Sequence, residues 1–278
     1  LSRLQLSSCR NCSLQRPGLA VHKPMICAVI QLNAPAKLTL TLRITGVRDD
    51  GFHLIDAEMV TLDFGDTLEI APLDATAPSV IRLDWSDNAD AAGANLSVPL
   101  GPDNLVARAL TLAGRSADVN IIKRIPPGAG LGGGSADAAA VLRWAGFDDL
   151  DRAGQLGADI PFCMMGGRAR VTGIGEMVES LDFVKTKLTL VTPPFGCSTP
   201  AVYRTWDNMG GPTGHNGNDL ESAALRLEPR MAEWRDRLGN TTGEQPRMAG
   251  SGSTWFVPGH HEEAAASIPG ARCVTTVP

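Results

Sequence analysis

From residue 37 to residue 44 apolar and polar side chains alternate without a break. Leu38, Leu40, Leu42 and Ile44 fall on one side, and Lys37, Thr39, Thr41 and Arg43 on the other. That period of two predicts a strand with a buried leucine face. Similar short runs predict strands at 67–70, 80–85, 119–125, 168–171, 177–180 and 187–191, with 248–257 a strand broken by Gly250 and Gly252. Thr172-Gly173-Ile174-Gly175-Glu176 reads as the turn of a hairpin. Helical spacing follows Asp103-Asn104 over 105–112 and Asn218-Asp219 over 220–227, both pairs being N-cap signals. Further helices are expected at 136–145, 199–206 and 262–267. Strands and helices mixed without regular β-α-β alternation predict an α+β fold.

Composition narrows the function classes. The chain has 278 residues, enough for two modest domains, with 43% hydrophobic and 20% charged residues, the mix of an ordinary globular protein. A net charge of −5 argues against a broad nucleic-acid-binding face. No apolar run approaches the ~20 residues that span a bilayer, so no membrane partner is expected. Of the six cysteines, only Cys9 and Cys12 have metal or redox spacing, and they lack a second pair. Cys27, Cys163, Cys197 and Cys273 are scattered among apolar residues, which fits a reducing cytoplasm. Residues 1–24 carry four basic residues and no acidic one. They are expected to be upstream or leader sequence ahead of a natural start near Met25, and to stand apart from the fold.

The chemistry concentrates in Pro126-Pro127-Gly128-Ala129-Gly130-Leu131-Gly132-Gly133-Gly134-Ser135-Ala136. This run follows an apolar strand and leads into an alanine-rich helix. Glycines let a backbone approach a ligand closely, and the N–H groups at a helix start attract an anion. The run is therefore read as a phosphate cradle. A dinucleotide fingerprint can be traced through Gly128, Gly130 and Gly133, but no second strand with a terminal acidic residue follows. A Walker motif fails because no Lys-Ser or Lys-Thr follows the last glycine, and a protein-kinase loop would lead into a strand.

Other candidates stand apart in sequence. Asp159 sits alone within Leu156-Gly157-Ala158-Asp159-Ile160-Pro161-Phe162. A carboxylate among apolar neighbours must cap a helix, be paired, or do chemistry. Lys37 and Thr39 share the polar side of their strand. His53 follows the turn signal Asp49-Asp50-Gly51 and Phe52.

Together these pieces resemble the GHMP small-molecule kinase superfamily. The match rests on Pro35-Ala36-Lys37-Leu38, Asp50-Gly51-Phe52-His53, the run from Pro126 to Ser135, Leu156-Gly157-Ala158-Asp159-Ile160-Pro161, Thr199-Pro200 and Gly250-Ser251-Gly252. It spans nearly everything from Ala34 onward. The resemblance implies two lobes, residues 25–172 binding ATP and residues 173–278 on the substrate side, with the site in the cleft between them. It implies an ATP-dependent phosphotransferase in which Asp159 is the base, Lys37 its charge partner, and the glycine run the ATP site. Ser135 would offer a hydroxyl to a phosphate or to Mg²⁺. The Pro-Ala-Lys-Leu, Gly-aromatic-His and Leu-Gly-Ala-Asp pieces point to a member whose acceptor is a cytidyl diphosphate polyol of isoprenoid biosynthesis. Phe52 and Tyr203 would then stack on the cytosine, His53 would meet its polar edge, and Thr39, Thr199 and Pro200 would complete the pocket. Homoserine- or mevalonate-type kinases, or a nucleotide-binding homologue without turnover, are the alternatives. The chain departs from the family pattern at Thr39, where asparagine is usual, and at Phe52, where tyrosine is usual. Its stretch between the glycine-run helix and Asp159 is also shorter than is typical.

Overall fold

The computed structural model describes residues 29–86 and 98–278. The leader expected over residues 1–24, and Cys9, Cys12 and Cys27, lie outside them. Two long antiparallel strands form the spine, β1 (Ile30–Val47) and β2 (His53–Leu73), joined by the Asp49-Asp50-Gly51 turn. Next come β3 (Val80–Trp85), α1 (Leu105–Leu112) and β4 (Ser116–Lys123), with β3 and β4 parallel. This one β-α-β unit sits on the far side of β2 from β1. Asn104 caps α1 as its sequence predicts, its side-chain oxygen accepting from the Val106 N–H at 2.8 Å.

The glycine run then leads into α2 (Gly133–Trp144), α3 (Leu150–Leu156) and α4 (Ile160–Met165). Alanine makes α2 slim enough to be buried almost all round, against α1, α4 and β1. The hairpin β5 (Arg168–Gly173) and β6 (Met177–Ser180) pairs back onto β2. The lobe boundary expected after residue 172 falls inside that hairpin, so by strand pairing the first lobe runs on to Ser180.

The second lobe holds β7 (Lys187–Val191), α5 (Thr199–Asn208), α6 (Glu221–Leu227), α7 (Met231–Thr242), β8 (Arg247–Met248), β9 (Trp255–Pro258), α8 (Glu262–Ser267) and β10 (Ala271–Val277). Its sheet runs β10-β7-β9-β8, and the end of β10 pairs with Thr61 and Leu62 of β2, joining the two sheets. The strand expected over 248–257 is instead two short strands around a turn at 249–254. Left-handed Gly250 and Gly252 reverse the chain there.

The strict alternation expected along 37–44 does not survive. Between Pro35 and Lys37 three residues of β2, Leu62, Asp63 and Phe64, stand opposite Ala36 alone, and between Thr39 and Thr41 Leu40 is an extra residue of β1. The single extra residue at Leu40 exchanges the faces of the strand. Leu38 packs with Leu62, Ile125 and Leu131 on one side, while Leu42 and Ile44 join the other core with Ile55 and Met59. Lys37 and Thr39 thus lie in phase with Leu42, on a polar interval of an otherwise apolar face. Both are buried, at 6% and 1% exposure.

Candidate active site

One cleft of about 500 Å³ is lined by Lys37, Thr39, Leu42, Asn104, residues 126–135, Asp159, Thr199, Tyr203, Gly250 and Ser251, among others. It lies where the glycine run, β1, the start of α4 and the 249–254 turn meet.

The first bulge does local work here. With Ala36 out of the ladder, the Lys37 backbone N–H donates to the Leu131 carbonyl at 3.1 Å, drawing β1 against the glycine run. Gly128, Gly130 and Gly132 all have positive φ, at 70°, 78° and 69°. A Cβ at Gly130 would come 2.5 Å from the Ala249 carbonyl oxygen, and one at Gly132 would come 2.7 Å from Cγ of Lys37. Only glycine meets both the dihedral and the contact. On the other side, Cys197 and Ser253 donate their N–H groups to the Gly128 carbonyl, and Thr254 donates to that of Ala129. The cradle is gripped by both lobes.

Asp159 occupies the N-cap position of α4 but makes no side-chain capping bond. Its Oδ2 faces Lys37 Nζ at 3.1 Å, and its side chain keeps 30% exposure beside a lysine at 7%. Lys37 Nζ also donates to Thr39 Oγ1 at 3.2 Å. The helix-cap account of this aspartate therefore gives way to a paired carboxylate open to the cleft. Ser135 turns the same way, its Oγ 4.0 Å from the Cβ position of Gly157. The hydroxyl and carboxylate that line this wall are hard oxygen donors, the set that Mg²⁺ takes. The glycines whose missing Cβ atoms open the cradle fit a polyphosphate.

The remaining sequence candidates divide. Thr199 lines the cleft and shares a hydroxyl hydrogen bond with Ser251 at 2.8 Å. Tyr203 lines it too, and burial, with the Asp159 charge adding, holds its phenol well above the usual tyrosine range. His53 packs on the Tyr203 ring at 4.7 Å and reaches Asp207 Oδ1 at 2.7 Å through Nε2. Phe52 stands 54% exposed, with the Arg48 guanidinium over its ring. Pro200 is exposed at the first turn of α5, and Ala136 is buried in the core of α2. Phe52, His53, Pro200 and Ala136 do not line the cleft itself.

Sequence reasoning missed several wall residues. Asn104 was legible only as a helix cap. Lys123, which stands beside Arg124, and Asp137, in the first turns of the alanine-rich helix, were not singled out. Ile174 and Gly175, at the hairpin tip, reach the cleft because Gly175 packs on Ala158.

The model of the GHMP kinases N terminal domain matches residues 104–167, the stretch that contains the cradle and Asp159. A 4-diphosphocytidyl-2-C-methyl-D-erythritol kinase from Paracoccus denitrificans is 38% identical over 247 residues, covering 80% of this chain and 84% of the relative. The chain belongs to the 4-diphosphocytidyl-2-C-methyl-D-erythritol kinase family. It is a phosphotransferase acting on an alcohol group, with ATP use implied by the family. A crystal structure of 4-(cytidine 5'-diphospho)-2C-methyl-D-erythritol kinase superposes with a TM-score of 0.70 at 29% identity, over 90% of this chain and 100% of that one. The crystal structure of L. major mevalonate kinase in complex with R-mevalonate superposes with a TM-score of 0.59 at 14% identity, over 92% of this chain and 98% of that one. The second likeness carries the fold alone. The α+β, two-lobed architecture is thus that of the GHMP kinases. Among the described residues no helix is long and apolar enough to cross a membrane.

Proposed function

We propose that this kinase transfers the γ-phosphoryl group of ATP to the 2-hydroxyl of 4-diphosphocytidyl-2-C-methyl-D-erythritol, a step of isoprenoid biosynthesis in the cytoplasm. The observation that carries the reading is the Asp159 carboxylate, released from capping and held at 3.1 Å by Lys37 beside a glycine cradle.

Phosphoryl transfer asks a protein mainly for positioning and charge stabilisation. N–H groups of residues 128–135, at the start of α2, bind the ATP phosphates. The acceptor oxygen attacks the γ-phosphorus as the bond to the β–γ bridging oxygen breaks, and ADP leaves. Asp159 takes the proton of the attacking hydroxyl. Lys37, fixed by Thr39 and Asp159, lays its charge along the transferring group. Ser135 and the phosphates would hold Mg²⁺, which supplies neutralisation of the phosphate charge when bound.

On the acceptor side Tyr203 and Phe52 stack on the cytosine, and His53 reads its edge. Thr39, Thr199 and Pro200 belong to the same end. Thr39 is shorter than the asparagine usual in the family and offers a hydroxyl in place of an amide. The division into an ATP-binding first lobe and a substrate-side second lobe follows the same assignment.

A coupled ADP-release assay tests the reading with the cytidyl substrate, homoserine and mevalonate in parallel. Turnover confined to the cytidyl substrate is expected. Turnover with homoserine or mevalonate instead would move the chain to another GHMP activity, and ATP binding without any ADP release would make it a non-catalytic homologue.

A further inference from the structure

A second lysine–aspartate cluster lies behind the cradle. Lys123, at the end of β4, donates its ammonium to Asp66 Oδ2 of β2, and to Asp137 Oδ2 of α2 at 3.0 Å. The other oxygen of Asp66 accepts the backbone N–H groups of Arg124 and of Ile125, the latter at 2.8 Å. These bonds take the two residues out of the strand ladder just before Pro126, which is why β4 stops at Lys123 rather than at Ile125 as its apolar run predicts. All three side chains are at most 5% exposed.

The placement of the cluster gives it a use. Asp66 fixes the stem that enters the glycine run, Asp137 belongs to the stem that leaves it, and Lys123 holds the two together. Gly133 sits between them, and a Cβ there would come 3.1 Å from Lys123 Nζ. The loop itself cannot supply this rigidity, since glycine-rich backbone loses most conformational freedom on being fixed. Stability is a weak reason to keep the cluster. Two carboxylates share one ammonium, Asp137 Oδ1 has no hydrogen-bond partner, and replacing such buried ionic groups by apolar ones is often neutral or stabilising. We infer that Lys123, Asp66 and Asp137 are positioning residues that clamp the two stems of the glycine run and so preset the cradle for nucleotide phosphates. The inference rests on the reading above that this run binds ATP.

The test removes the clamp and leaves a single buried carboxylate, that of Asp66, in place of two. Lys123→Met combined with Asp137→Leu keeps Asp66 on its two backbone donors. Melting temperature, calorimetric Kd for ATP, Kd for the cytidyl substrate and kcat are measured on this variant and the wild type. The expected result is a folded protein whose Kd for ATP rises about tenfold or more, the scale of a displacement approaching 1 Å in a positioned group. Its Kd for the cytidyl substrate should stay where it was. A folded double variant with unchanged ATP affinity overturns the inference. If the double variant does not fold, the near-isosteric Asp137→Asn decides. A rise of about threefold in Kd for ATP, with the cytidyl Kd unmoved, supports the clamp, and no rise overturns it. A wild type that binds ATP but releases no ADP sinks the kinase reading and leaves the affinity comparison in force. One that does not bind ATP overturns both.

Discussion

Two lysines of this kinase face aspartates across the same cleft wall, and their surroundings give them different work. Lys37 meets one carboxylate, Asp159, which water can reach. Lys123 meets two, Asp66 and Asp137, and all three side chains are at most 5% exposed. The open pair keeps a carboxylate side chain 30% exposed beside the cleft. The closed cluster spends its hydrogen bonds on the chain itself, taking two backbone N–H groups and tying three elements. The comparison teaches that residue type does not assign a role to an ion pair. What assigns it is how many of its lone pairs the fold has already claimed.

The comparison breaks most sharply at Asp159. Asp159→Asn should lower kcat by ~10²–10⁴-fold, the usual loss for a general base, with little change in either KM. A steady-state assay on the folded variant measures it, and near-wild-type kcat would return Asp159 to a structural role. The second contrast is in stability. Lys123→Met leaves two buried carboxylates with no cation and should cost about 3–5 kcal/mol. Lys37→Met leaves a carboxylate that solvent can reach and should cost about 1 kcal/mol or less while lowering kcat. Urea melts of the two variants compare them directly, and equal losses would erase the distinction drawn here.

Gly132 ties the cradle to the Lys37 side of the comparison, because a Cβ there would meet the Lys37 side chain. Gly132→Ala strains a φ of 69° and drives a methyl into Lys37 Cγ. A fall in kcat/KM for ATP of about ten- to a hundredfold is expected. A folded variant with unchanged kcat/KM would mean that the phosphates bind elsewhere. Away from both lysines, Tyr203→Ala should weaken the cytidyl substrate by ~1–3 kcal/mol, the range for aromatic–base stacking, and Tyr203→Phe should be nearly silent. Equal losses for ATP and the cytidyl substrate would indicate a general defect in place of a lost stacking face.

The smallest effect is a pH slope. Burial pushes the Asp137 carboxyl up to about 7 against the pull of Lys123, from 3.8 in the unfolded chain. Between those values the folded protein holds a proton that the unfolded chain has released, so stability falls as pH rises through the window. Asp137→Asn should flatten that part of the melting-temperature profile. An unchanged slope would place its origin in another group.

Much of this was legible from residues alone. The limits of β3, α1, β6, β7 and α8 follow their apolar patterns to the residue, and the glycine run declares its cradle because no plain turn needs so many left-handed positions. Asp159 stood out because a lone carboxylate in an apolar run demands a partner. What stayed hidden depends on contacts between distant segments. The clamp at Lys123 joins residues 66, 123 and 137, none of which signals the others. Helix α7 was missed because its exposed face is densely charged and its buried side rests on Met231 and Leu238, with Trp234 half-buried beside the core. Asn218 and Asp219 were read as helix caps, and Asn218 does accept from the Leu220 N–H. Asp219 instead binds Arg43 and the Ile44 N–H of β1, while the Asn218 amide donates to the Met248 and Gly250 carbonyls.

The Leu40 bulge sets a rule for how this chain can diverge. Substituting Leu38 or Leu42 changes a volume, which neighbouring side chains can absorb in part. Removing Leu40 would let Thr39 and Thr41 pair with Met59 and Glu58 in an unbroken ladder and leave Leu42 and Ile44 on the cleft side. Removing Arg43 instead, where the ladder has no residue to spare, would turn Ile44 to the opposite face. Descendants of this sequence can lose a codon at the bulge at less cost than at the paired positions beside it.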